Sequence, residues 1–456
     1  MQPSPGRHPR EYEQIDVPIQ DQQPRGSSAP ASVANSVNTL CGLGILSLPF
    51  AFRQSGIVLA ITFLLVFGAT ASCTAMLLRD CISHVRRDRD REAYLAAQQE
   101  DQGEQADAED QPLLRNSVRN HHTTESLVAI TYSDVGYAAF GRFGAVLVQT
   151  LFSLELFAAD TAFIVIAVDA LTSLFHDKVY SRSHIQALLV ALLTPITMAR
   201  DLSVLAYASV IGVLACVVIS LTVIGYGAHG PASWITPADG VREWPVDAWT
   251  AVSAVGIFFV GFDAHSVFPA ILHSMQDQGW FNAVLVWAYG YCSVLYVAVG
   301  MAGYLMYGSD TQREITLNLA GDSSTRLILD VISVMIVVNS VATYPLLMQP
   351  VITALQNTLY AGVPWAIGTR YTRHLIAVGL NVLVLVVSVW IPSFQLIMTV
   401  LGSAFSTLIV VVLPCICHMI IIKDTSVKFK ILLGSVAAAG LAIGVLGTLS
   451  ALSLVV

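Results

Sequence analysis

Apolar residues fill this chain in long unbroken blocks, without the alternation that marks half-buried strands. The blocks cover approximately 32–53, 56–79, 144–175, 184–199, 204–228, 248–272, 280–306, 326–358, 373–391, 394–421 and 430–454, numbered here as spans 1–11. Most reach the run of about 18 residues or more that crosses a hydrocarbon core of ~30 Å. Rods that are apolar on every side predict membrane helices, because a helix satisfies its own backbone in lipid. The predicted fold class is therefore an all-α polytopic membrane protein with about eleven transmembrane helices.

Polar intervals divide the chain further. Residues 1–30 are rich in Pro, Gln and Ser and lack the apolar core of a signal peptide, which predicts a disordered cytoplasmic tail. Residues 81–125 mix Arg, Asp, Glu and Gln with few apolar residues and predict a disordered cytoplasmic loop between spans 2 and 3. The stretch Thr131–Gly141 predicts a short interfacial helix leading into span 3. The domain scheme is thus a tail (1–30), spans 1–2 (31–80), the loop (81–125), and the interfacial helix with spans 3–11 (126–456).

Composition strengthens the membrane reading. The 456 residues are 55% hydrophobic and 12% charged, about half the charge of a soluble domain. With the N-terminus cytoplasmic, seventeen of the 23 Lys and Arg residues fall on the cytoplasmic side, among them Arg86, Arg87, Arg89, Arg370 and Lys428. The positive-inside rule then places the N-terminus in the cytoplasm and the C-terminus across the membrane. No basic stripe with interleaved aromatics points to nucleic acid. Six of the seven cysteines lie in or beside spans, so no disulfide framework is expected.

Two spans are interrupted. Span 1 carries Cys41-Gly-Leu-Gly-Ile-Leu-Ser-Leu-Pro49, and span 6 carries Val260-Gly-Phe-Asp-Ala-His-Ser-Val-Phe-Pro269. Glycine admits non-helical backbone and proline removes a donor. Backbone freed at membrane depth survives only against protein or a cavity, so paired breaks five spans apart predict an inverted-repeat transporter with a central site. The half-helix beginning after Gly44 presents free N–H groups and a positive dipole end, which suits the carboxylate of an amino acid.

Ionisable residues inside spans are functional candidates. Glu155 in span 3, and Asp263 and His265 at the span 6 break, are the candidates for proton coupling, because a buried carboxyl or an imidazole can change charge between cytosol and an acid lumen. Asp263 also fits the N-cap of a half-helix starting at Ala264. Asp160 and Asp169 follow along span 3, nearer the far face. Asn35, Asn38 and Thr39 before the first break, with Asn339, Ser340, Thr343 and Tyr344 in span 8, offer hydrogen bonds to a substrate or between helices. No dinucleotide, P-loop, zinc-protease or nucleophile-elbow motif occurs, so neither an enzyme, a cofactor nor a metal site is expected.

The run Asn35–Phe50 resembles the opening span of the amino acid/auxin permease family. Gly261-Phe-Asp-Ala-His-Ser-Val-Phe-Pro-Ala-Ile271 resembles span 6 of its vacuolar and vesicular branch. Phe152–Leu156, Gly303–Gly308, Tyr344–Leu346 and Leu413-Pro414 match in the same order. The resemblance implies a LeuT-like fold of five plus five inverted spans and one more, with a substrate site formed by Asn38, Thr39, Gly42, Gly44, Ile45, Gly261, Asp263, Ser266, Asn339 and Tyr344. It also implies proton-coupled exchange of amino acids into an acid vacuole-like lumen. Symport out of the lumen, an amino-acid sensor and sodium coupling remain as alternatives. Glu109-Asp-Gln-Pro-Leu-Leu114 fits an acidic dileucine sorting signal, with Glu109, Leu113 and Leu114 read by a sorting adaptor.

Overall fold

Gly56 has φ +73°, a conformation that residues with a side chain rarely adopt, and there the chain turns from span 1 into span 2. A side chain at this position would also strike the backbone of Glu243 and Trp244. The computed structural model describes residues 26–107, 130–175, 181–198, 203–229, 238–320, 326–362 and 370–453. Its first helices are α1 (Ala29–Leu40), a 3-10 turn (Leu43–Ser47), α2 (Leu48–Asp107, two helices joined at Gly56) and α3 (Tyr132–Leu174). Next come α4 (Arg182–Met198), α5 (Ser203–His229), α6 (Ala248–Val260), α7 (Phe268–Ser274), α8 (Phe281–Tyr307) and α9 (Ile315–Ala320). The remainder are α10 (Arg326–Gly362), α11 (Arg370–Trp390), α12 (Phe394–Val400), a π-helical stretch (Leu401–Val412), α13 (Leu413–Ile421) and α14 (Val427–Ser453).

Each apolar block falls on a helix or on a helix pair separated by a break. Among the described residues, seven helices are long and apolar enough to cross a membrane, while Leu214–His229 and Ala248–Val260 are apolar but shorter. The helix before span 3 starts with a capping box, in which the Thr131 hydroxyl accepts from the Asp134 amide and the Asp134 carboxylate accepts from the Thr131 amide. It turns into span 3 at Gly141, whose φ is +64°.

One expectation is corrected here. Residues 81–107, read from composition as disordered, continue α2 as helix. The apolar span supplies the helical nucleus, and adding residues to an existing helix is far easier than starting one. Pairs spaced by four such as His84 and Asp88, 3.5 Å apart, support the extension. Residues 108–125 lie outside the described residues, as do Glu109, Leu113 and Leu114 of the proposed sorting signal.

Two large cores and a small third one, around Cys415, Leu433 and Ala437, organise the described residues. One joins α3, α4, α10 and α11 through Ile164, Leu193, Tyr344, Met348, Ile352 and Ala377. A polar thread ties the same helices together. Tyr344 donates to Asn381 Oδ1 (2.7 Å), and the Asn381 amide donates to the Thr197 hydroxyl (3.0 Å). Gln349 donates to the Thr197 carbonyl (2.7 Å), and Arg373 donates to Gln349. The larger core is built on spans 1, 2, 6 and 7 and reaches spans 3, 5, 8 and 10. Within it α6 crosses span 10 at Gly256 and Gly402, where a methyl on Gly402 would collide with the Gly256 carbonyl. The outer helix α14 exposes Leu432, Leu441, Leu449 and Leu452, the surface a lipid-facing helix requires.

Candidate functional site

Both broken spans leave carbonyls without helical partners, and spans 5 and 7 supply the missing donors. Helix α1 ends at Leu40, Gly42 is extended (φ −87°, ψ −167°), and the chain resumes as the 3-10 turn. Tyr296 of α8 places its hydroxyl 2.6 Å from the Leu40 carbonyl oxygen and 2.8 Å from that of Gly261. Tyr289, two turns earlier on α8, donates to the Phe262 carbonyl (3.3 Å). The Cys216 thiol of α5 donates to the Cys41 carbonyl (2.6 Å). These contacts satisfy backbone that lipid could not.

Beside the first break there is room. A methyl added to Gly42 would meet nothing within 4 Å, whereas one on Gly44 would contact Met398 and Val260. Ile45 is buried in the core. Asn38 and Asn339 converge from spans 1 and 8, their amide oxygens 3.4 Å and 3.0 Å from where a Gly212 side chain would begin. Thr343 donates to that Asn339 oxygen at 3.3 Å. A side chain at position 212 of span 5 would press on both carboxamide oxygens.

At the second break, helix α7 begins only at Phe268 with Val267 as its cap. Asp263 is accordingly not an N-cap, and its carboxyl oxygens are buried without a hydrogen bond of ordinary geometry. That carboxyl lies beside the buried carboxyl of Glu155. Ser406 donates to Glu155 Oε1 at 3.5 Å. Ser406 occupies the π-helical stretch of span 10, where its hydroxyl also reaches the Leu401 carbonyl five residues back. Such widened turns recur at functional sites, since they release backbone groups from the regular ladder. Among the described residues no ion pair reaches either carboxyl.

The other candidates are distributed differently. His265 is fully buried and turned to span 2, with Nε2 3.1 Å from the Thr74 hydroxyl and its ring against Phe268. Tyr344, expected at the substrate, sends its hydroxyl to Asn381 inside the second core and is corrected to a scaffold residue. The Thr39 hydroxyl bonds the Asn35 carbonyl of its own helix at 3.0 Å, so it too is not aimed into the break. Ser266 is half-buried in the unwound segment. Asp160 is fully buried, and both of its oxygens lack a hydrogen-bond partner.

Sequence reasoning did not single out Tyr289, Tyr296, Cys216 or Ser406. The one available signal was the cluster Gly402, Ser403, Ser406 and Thr407 within an otherwise apolar span.

Comparison with known proteins adds an independent line. The family model described as "Transmembrane amino acid transporter protein" matches residues 25–103 and 115–454. Amino acid transporter AVT1B of Arabidopsis thaliana is 32% identical over 448 residues, covering 94% of this chain and 72% of the relative. AVT1C of the same plant is 31% identical over 451 residues, covering 95% and 70%. Among solved structures, MhsT in complex with L-phenylalanine aligns with TM-score 0.55 at 11% identity, covering 94% of this chain and 99% of that one. Mhp1 in its inward-facing conformation aligns with TM-score 0.54 at 14% identity, covering 94% and 90%. These two establish the LeuT-like fold.

Proposed function

The chain belongs to the transmembrane amino acid transporter family, and from that premise we propose that it couples amino acid movement to protons through Glu155 and Asp263. The protein is then an exchanger, loading an acid vacuole-like lumen with amino acids as protons leave it. The observation that carries this reading is the meeting of two buried carboxyls at a broken helix, with no ion pair to either among the described residues. Like charges in one dry site oppose each other, which makes such a pair a holder of one exchangeable proton. Ser406 steadies the Glu155 side, and a change in the span 6 break alters the pair's separation.

The substrate site in this reading is the space beside Gly42, with Asn38, Gly44, Ile45, Gly261, Asp263, Ser266 and Asn339 as its candidate contacts. Free N–H groups at the span 1 break meet the α-carboxylate. The acid pair favours the α-ammonium, so neutral and basic amino acids fit better than acidic ones. Alternating access follows from the two cores, with spans 1, 2, 6 and 7 rocking against the threaded body of spans 3, 4, 8 and 9. Eleven spans, a cytoplasmic N-terminus, a lumenal C-terminus and sorting through Glu109, Leu113 and Leu114 complete the proposal.

The test is uptake of labelled neutral, basic and acidic amino acids by purified protein in liposomes, with and without an acid interior. Each pH unit supplies about 1.4 kcal/mol, a tenfold accumulation at one proton per substrate. Uptake that rises with the gradient and collapses with a protonophore supports exchange. Uptake indifferent to pH but dependent on sodium rejects it.

A further inference from the structure

We propose that Cys41 and Cys292 form a reversible disulfide that locks the broken span 1 to span 7 under oxidising conditions. Their sulfurs lie 3.6 Å apart, although the residues are 251 positions apart in the chain. Both cysteines are free and buried in the protein. Closing from 3.6 Å to a bond length of about 2.05 Å needs a movement of about 1.5 Å, within what two side chains and an unwound segment can absorb.

The location gives the bond its consequence. Cys41 is the first residue after α1, at the hinge between the half-helix and the 3-10 turn. Cys292 is one turn before Tyr296, whose hydroxyl contacts the neighbouring Leu40 carbonyl. A hydrogen bond there can break and reform as α1 tilts, but a covalent bond holds the two backbones within the narrow range a disulfide allows. Span 1 then cannot hinge at its break.

Access is one-sided. Cys41 borders a cavity of about 630 Å³ between α1, α5 and α8, lined also by Asn38, Trp287 and Tyr291, whereas Cys292 is fully buried behind it. A small neutral peroxide reaches Cys41 first. Cys41 sulfur attacks the O–O bond, giving a sulfenic acid and one water. The Cys292 thiol then displaces the second water and the S–S bond forms. Two thiols lose two electrons and two protons, and one hydrogen peroxide becomes two waters. The third nearby thiol, Cys216, is occupied with the Cys41 carbonyl.

The experiment treats full-length protein in liposomes with hydrogen peroxide and then with dithiothreitol. Three readouts are needed: peptide mass spectrometry without reduction, amide hydrogen exchange over residues 29–42, and amino acid uptake. The expected result is a Cys41–Cys292 cross-linked peptide, slower exchange in that segment, and at least a tenfold loss of uptake that dithiothreitol reverses. Cys292→Ser should keep its uptake and exchange rates under peroxide. The first two readouts need no transport, so they stand apart from the assigned function. Absence of the cross-link, a Cys41–Cys216 link instead, or equal inhibition of Cys292→Ser overturns the proposal.

Discussion

The Tyr296 hydroxyl stands 2.6 Å from the carbonyl oxygen of Leu40 and also reaches Gly261, so one side chain of span 7 bridges both broken helices. A hydroxyl carries one proton and can donate to only one carbonyl at a time. The two breaks therefore share a donor, and a change at one is felt at the other. Tyr296→Phe keeps the ring and removes the link. The buried Gly261 carbonyl then loses its donor, at a cost of about 1–3 kcal/mol, while the Leu40 carbonyl keeps only the Gly42 amide at 2.8 Å. A lower melting temperature in detergent and slower transport are expected. A variant with unchanged melting and rate would show that the bridge is dispensable.

Glu155→Gln should uncouple transport from the pH gradient while leaving substrate exchange at equal pH. Glutamine preserves volume and can still hydrogen-bond Ser406, but it cannot carry the proton. Asp263→Asn should behave alike, because the pair holds the proton jointly. His265→Gln should retain the gradient response, since its contact with Thr74 is structural and replaceable by an amide. Counterflow and gradient-driven uptake, measured side by side, separate these outcomes. A coupled Glu155→Gln protein, or an uncoupled His265→Gln protein, would reverse the assignment.

The sequence exposed some of this and hid the rest for physical reasons. The breaks were legible because Gly42, Gly44 and Gly261 admit non-helical backbone and Pro269 suits the first turn of a new helix. Glu155 was legible because a carboxyl in an apolar span has few reasons to be there. Tyr296 and Cys216 were not, since their work is done on carbonyls far along the chain and their neighbours are ordinary span residues. Tyr344 misled because span 8 is apolar around most of its circumference, and such a pattern does not say which face meets the site. Residues 81–107 misled because charge content was read without the helix already running into them.

Gly402→Ala should fold poorly. The added methyl collides with the Gly256 carbonyl where α6 and span 10 cross, and backbone on both sides leaves little to yield. Overpacking of this kind costs roughly 1–3 kcal/mol. Gly379→Ala, where the added methyl meets nothing within 4 Å, is the matched control. Fluorescence-detected gel filtration after heating should show early loss of the monodisperse peak for the first variant alone. Equal loss in both would point to helix-wide sensitivity instead.

Glu314, in the segment between α8 and α9, gives the protein a stability that falls as pH rises. Burial, aided by the nearby charge of Asp169 and offset by Arg182, a bond to Thr316 and Arg313, pushes its carboxyl up to about 8 from an ordinary 4.5. The unfolded chain releases this proton near 4.5, whereas the folded protein keeps it until about 8. Between those values the folded state binds more protons, so the slope of stability against pH is negative. The contribution is fully present below the unfolded value and is lost as pH climbs through about 8, on the order of a few kcal/mol across the window. Glu314→Gln mimics the neutral acid at every pH. Its melting temperature should lie close to that of the parent at pH 5 and above it at pH 8, with this part of the slope removed. Melting curves of the two proteins that stay parallel from pH 5 to pH 8 would mean that Glu314 is ionised in the fold and paired by Arg182.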